Sequence, residues 1–262
     1  MRYFMELKYD GSQHCGWQRQ PNATTIQGDI ENALSLLLRK PIEVVGAGRT
    51  DTGVNAAYYT AHFDTEQEID CQHIAYKLNA ILPHTISIDS IALVSDSLHA
   101  RFDAQEREYT YIITTQKNPF LRGSAWFYNG TLDTAKMSEA LHCLLRYEDF
   151  TSFAKLNSNN TTNICHIMAA ECDAEPERGI IRIRLRANRF LRNMVRAIVG
   201  TVVDVGRGRY TVDEFCQIIE ARDLSLSSGG APAQGLYLTD VKYDPSMFTR
   251  KQTLTNTNFF NF

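Results

Sequence analysis

The sequence predicts an α+β protein built from two ferredoxin-like (split βαβ) halves, with mostly antiparallel sheets side by side and a catalytic cleft between them. Three observations carry that expectation. Several short segments alternate apolar and polar residues with period two, others repeat apolar residues with helical period, and the segments follow one another in a telling order. That order is β-α-β-β-α-β in the first half and β-α-β-β-α-α-β in the second. A cleft at such a junction is the usual place for a site.

Tyr3, Met5, Leu7 and Tyr9 alternate as a strand. Thr24-Thr25-Ile26-Gln27 offers a capping box for an amphipathic helix to Leu38. Ile42 to Val45 reads as a short strand, and Ala57, Tyr59, Ala61 and Phe63 as an alternating one. Asp70 caps a helix to Ile81, closed by Pro83, and Ile86 to Val94 completes the half. In the second half, Tyr109 to Thr115 is a strand and Asp133 or Thr134 caps a helix to Leu145. Two strands, Ile164 to Cys172 and Ile180 to Ala187, follow across Pro176 and Gly179. A helix from Phe190 to Val205, a second opened by Thr211-x-x-Glu214, and a strand from Leu236 to Tyr243 end the half. The expected domains are 1–103, 104–244 and a polar tail, 245–262, that ends in Phe259-Phe260-Asn261-Phe262.

The bulk numbers narrow the function classes. A chain of 262 residues with 44% apolar and 22% charged residues can bury an ordinary globular core. No apolar run approaches the roughly 20 residues that span a bilayer, and the first residues form a strand rather than an export signal. Six scattered cysteines without a C-x-x-C pair then read as free thiols in a reducing cytosol, which gives a cytoplasmic protein. Neither His14-Cys15 nor Cys165-His166 has ligand spacing, so no metal is expected. Net charge is −3, yet Arg178, Arg182, Arg184, Arg186, Arg189, Arg192, Arg196, Arg207 and Arg209 crowd one segment with the single acid Asp204. Such a stripe fits a phosphate-binding face, and equally a solvated strand and helix.

Three segments can carry chemistry. Gly46-Ala47-Gly48-Arg49-Thr50-Asp51-Thr52-Gly53-Val54-Asn55 is neither a Rossmann fingerprint nor a Walker loop, because a strand follows and no Lys-Ser/Thr closes it. A hairpin loop with an Asx turn at Asp51 is the plain alternative, but closing a hairpin requires less glycine, arginine and acid than this loop holds. On the helix expected from Phe190, the residues Arg189, Arg192, Arg196 and Gly200 share one face, while Phe190, Met194, Ile198 and Val202 face the core. Gly200, one turn beyond Arg196, suggests a close approach. Tyr109 and Tyr111 share a strand face. Tyr111 reads as core, and Tyr109 either as core or as a platform for a base.

Taken together these segments resemble the TruA family of tRNA pseudouridine synthases. The resemblance lies in G-R-T-D-x-G-V at Gly48–Val54, R-x-Y-x-Y at Arg107–Tyr111 and F-L-R-N-M-V-R-x-I-V-G at Phe190–Gly200. Tyr9-Asp10-Gly11, Gly16-Trp17-Gln18, Gln27-Gly28, Asp149 to Phe153, Val205 to Gly208, Ala231-Pro232 and Gly235 to Leu238 extend it in family order. Asn55, Thr52 and Ala233-Gln234 depart from the family's usual His, Ala and Pro-His. The resemblance implies that Asp51 is the catalytic aspartate, that Tyr109 stacks on the target base and can serve as a base, and that Arg196 pairs with Asp51. It implies an RNA contact from Arg49, where the nucleotide leaves its stack. The stripe itself, with more arginines than one ion pair needs, predicts phosphate contacts from several of Arg182, Arg184, Arg186, Arg189 and Arg192, and Leu236 is expected to touch the substrate or RNA. The resemblance also implies a homodimer without cofactor or metal, acting on tRNA positions 38, 39 and 40 in the anticodon stem-loop.

The chemistry suits these residues. Pseudouridine forms when the bond from ribose C1′ to N1 breaks, the base turns, and C5 takes the place of N1; nothing is added or lost. A carboxylate assists by attack on the base, by attack on the sugar, or alongside loss of the C2′ proton. The uridine must leave its stack to be reached. A glycoside hydrolase would need two partnered carboxylates, and a non-catalytic RNA-binding module would have no use for Asp51.

Overall fold

The computed structural model describes residues 1–155 and 161–248. The Thr- and Asn-rich tail with Phe259, Phe260 and Phe262 lies outside the described residues. The described residues form two compact units, one of Met1–Glu106 together with the chain from Leu238 to Phe248, the other within Arg107–Tyr237. The last strand therefore clusters with the first unit from Leu238, where the sequence placed it in the second half.

In the first unit β1 (Arg2–Tyr9) lies antiparallel between β3 (Asn55–Asp64) and β4 (Ile86–Val94). The other edge of β3 takes the short β2 (Val44–Gly46) and the returning β9 (Leu236–Lys242). Helix α1 (Ile26–Leu38) starts at Thr25, whose hydroxyl accepts from the Gly28 amide. Gln27 does not close the expected box; its side chain accepts from the Arg19 amide and donates to Glu31 and the Val44 carbonyl, tying the helix start to β2. Helix α2 (Cys71–Ile81) begins at Asp70 as expected and packs on β4. The alternation in β1 understates its burial. Phe4 and Glu6 are buried as well as Tyr3, Met5 and Leu7, and the Glu6 carboxylate is satisfied by Tyr58 at 2.8 Å and Ser90 at 2.6 Å.

The second unit orders its strands β5 (Glu106–Thr114), β8 (Ile180–Ala187), β7 (Ile167–Glu175), all antiparallel. Helices α3 (Thr134–Cys143), α4 (Met194–Gly206) and α5 (Val212–Ala221) complete it, with α3 packing on β7 and on α4. Thr211 and Glu214 form the expected capping box. A two-residue strand, β6 (Trp126–Phe127), parallel to β5, is too short to leave a pattern in sequence. β7 begins at Ile167 because Ile164 is occupied in a lone bridge to Asp149. Helix α4 departs further from the sequence pattern. Asn193 adopts a left-handed backbone, φ 65°, which ends any helical path from Phe190, so α4 starts at Met194. Arg189 and Arg192 sit on the turn before the helix, and only Arg196 and Gly200 share its face.

One buried histidine makes the first unit sensitive to acid. His62 on β3 is buried, and its Nδ1 accepts from the Ala100 amide at 3.1 Å. Burial, with the Arg2 cation and His99 nearby, holds its pKa down to about 4. The unfolded chain takes up this proton near pH 6.5, so it binds more protons than the folded chain between pH 6.5 and 4. Stability should fall as pH drops through that window, by roughly 1–2 kcal/mol between pH 7 and pH 5. Urea melts at the two pH values measure this, and His62→Asn, which keeps an acceptor, should lose correspondingly less than wild type. Equal losses in both proteins would refute the assignment.

Candidate active site

In the first unit the loop between β2 and β3 carries Arg49 and Asp51. It lies on a second loop, Gly11 to Trp17, through backbone contacts: Trp17 N–H donates to the Thr50 carbonyl at 3.2 Å and Gly53 N–H to the His14 carbonyl at 3.4 Å. Val54 N–H donates to the Asp51 carbonyl at 3.1 Å, which makes the turn. From the core side, the Tyr59 hydroxyl donates to the Gly48 carbonyl at 2.5 Å, and the Tyr9 and Thr50 hydroxyls meet at 2.9 Å. Tyr9, Trp17 and Tyr59 form one aromatic cluster, with Trp17 stacked on Tyr59 at 4.2 Å. Arg49 is exposed and Asp51 half-buried, whereas Thr50 between them is buried. Asn55, where the family usually has His, turns inward, and its Oδ1 accepts from the Gly11 amide at 2.8 Å.

The glycines of the lower loop are dictated by this contact. Gly16 has φ +85°, and a Cβ there would lie 2.5 Å from the Thr50 carbonyl oxygen and 3.1 Å from the Asp51 carbonyl carbon. Gly16→Ala should therefore displace the Asp51 loop. We expect a thermal midpoint lower by several degrees and turnover lower by about two orders of magnitude, read by melting and by isomerisation assay on the same preparation. Turnover close to wild type would mean that the loop tolerates being moved.

In the second unit Tyr109 is half-buried on β5, and its ring meets Phe190 edge-to-face at 5.2 Å. That contact brings Tyr109 beside the turn that carries Arg189 and Arg192. Tyr111 is fully buried, as expected of core, and donates to the Pro232 carbonyl at 2.7 Å. Arg196 is tied to one short segment twice: its Nε donates to the Ala231 carbonyl at 2.6 Å, and the Ala231 amide donates back to the Arg196 carbonyl at 2.9 Å. The close approach at Gly200 is that same segment, since a Cβ there would lie 2.4 Å from the Gly229 carbonyl oxygen. Leu236 is buried and follows the turn Ala233–Gly235.

The arginine stripe changes character once folded. The sequence shows one acid within it, but β7 brings Glu171 and Glu175 alongside, and Arg184 and Arg182 form ion pairs with them. Arg178 also meets Glu175, and the buried Asp204 takes both Arg207 and Arg209. Arg49 and the Arg189 side chain make no ion pair among the described residues.

A family model described as tRNA pseudouridine synthase matches residues 7–103 and 147–244. The chain belongs to the tRNA pseudouridine synthase family. The match includes the Asp51 loop and Arg196, while Tyr109 falls between the two matched stretches. Proteins called tRNA pseudouridine synthase A are similar to it over most of their length. That of Bacteroides thetaiotaomicron is 46% identical over 97% of this chain and 96% of its own, and that of Bacteroides fragilis 48% over 94% and 98%. The protein of Gloeobacter violaceus is 37% identical over 94% of this chain and 82% of its own. Tyr9, Trp17 and Tyr59, which hold this loop in place, carry little sequence signal as site residues: Tyr9 and Trp17 lie in the shared motifs, and Tyr59 is one apolar step of a strand.

Proposed function

We infer that this chain converts uridine to pseudouridine in tRNA, with Asp51 as the reacting carboxylate, Tyr109 stacking on the target base and Arg196 acting with Asp51. The observation that carries the reading is membership of the synthase family through stretches that include both Asp51 and Arg196. The half-buried Asp51 on a loop pinned from two sides supports it, because a reacting group needs fixed geometry. So does the perpendicular packing of Phe190 with Tyr109, which would hold the tyrosine ring steady beneath an extruded base.

The finer reading follows the resemblance: uridines at positions 38, 39 and 40 of the anticodon stem-loop, no cofactor, a homodimer, and action in the cytoplasm. No helix among the described residues is long and apolar enough to cross a membrane. We assign phosphate contacts to Arg49 and Arg189 first, and to the exposed Arg192 on the same turn as Arg189. Arg182 and Arg184 would have to leave Glu175 and Glu171 to reach a phosphate. Leu236 is assigned apolar contact with the substrate.

Unmodified tRNA carrying tritium at uridine C5 tests the reading. Isomerisation replaces that hydrogen by the bond to C1′, so wild-type protein should release tritium to water. A non-catalytic RNA-binding module would bind the tRNA and release none.

A further inference from the structure

We propose that Tyr59 and Tyr9 are positioning residues that set the Asp51 loop through their hydroxyls, by fixing Gly48 and Thr50 so that Arg49 and Asp51 project together. The inference rests on the reading of Asp51 as the reacting carboxylate. Both rings belong to the core: Tyr59 is fully buried and Tyr9 nearly so, and phenylalanine would fill the same space. A buried phenol needs a partner, and each of these finds one on the loop. Tyr59 donates to the Gly48 carbonyl at 2.5 Å and also lies 3.4 Å from the Gly48 amide, and Tyr9 meets the Thr50 side chain at 2.9 Å.

The spacing gives these bonds their meaning. The Gly48 carbonyl and the buried Thr50 side chain are held from the core side, while Arg49 between them is exposed and Asp51 beyond is half-buried. The sequence also makes room for the clamp. A Cβ at Gly46 would lie 2.2 Å from the Tyr59 hydroxyl and 2.5 Å from the Trp17 ring, so glycine at the end of β2 lets the stacked pair reach the loop. The two hydroxyls thereby link the arginine assigned to RNA with the carboxylate assigned to chemistry.

Tyr59→Phe keeps the stack on Trp17 and removes the hydroxyl with its bonds to Gly48. With enzyme in excess over tritiated tRNA, its single-turnover rate should fall roughly tenfold, while tRNA binding by filter retention stays within about twofold and the melting temperature within a few degrees. Tyr9→Phe and Thr50→Val each remove the same bond, so their double variant should be no slower than the slower single one. Rates within about twofold of wild type overturn the proposal, and so does a rate loss matched by an equal loss of tRNA affinity. Wild-type protein that releases no tritium at all would instead remove the reading of Asp51 on which the proposal stands.

Discussion

Asp51→Asn should abolish tritium release, by about 10⁴-fold or more, and leave the affinity for tRNA within a few-fold. Asparagine has the size of the native side chain and lacks its charge. The loop around it is held by groups the substitution leaves in place: the Thr50 and His14 carbonyls, the Gly48 carbonyl and the Thr50 hydroxyl. A loss of rate without a loss of binding then belongs to the carboxylate itself. Turnover near wild type would take Asp51 out of the mechanism and leave the loop an RNA-binding element.

The second large effect is expected at Arg196. If it serves Asp51, Arg196→Met should slow single turnover by about 10³-fold. Its Nε is occupied by the Ala231 carbonyl, so a function beyond that contact falls to the two terminal nitrogens. Lysine has one nitrogen and cannot hold Ala231 and meet a second partner in the same geometry, so Arg196→Lys should recover only part of the rate. The double variant Asp51→Asn/Arg196→Met should be about as inactive as Asp51→Asn alone, because groups that act as a unit are not additive. Melting curves separate this from damage to the Ala231 segment. Full activity in a well-folded Arg196→Met would show that the two residues do not work together.

Sequence carried the fold where local chemistry decides structure. Asp70, Asp133 and Thr211 cap the helices they were expected to cap. Ile180 to Ala187 and Ile86 to Val94 have the strand bounds their alternation gave. It failed where a single backbone angle or a distant neighbour decides. Asn193 is tolerated in a helix and in the left-handed region alike, so the late start of α4 left no sequence signal. The pairing of Arg182 and Arg184 depends on the register of β7, in which Glu171 faces Arg184 directly. Tyr59 became a loop anchor only through its hydroxyl, which hydrophobic periodicity does not weigh.

The division of the chain has a consequence for how the protein comes into being on the ribosome. Residues 107–237 are an uninterrupted insertion within the first unit, which needs β9 along β3 to complete its sheet. The unit begun first is therefore finished last. As the nascent chain emerges, the inserted unit holds its own strands and helices before Leu238 is translated, whereas the edge of β3 beyond β2 waits for the strand that will cover it. Vectorial synthesis usually favours the N-terminal unit, and here it favours the internal one. During that interval the open β3 edge needs protection from other chains.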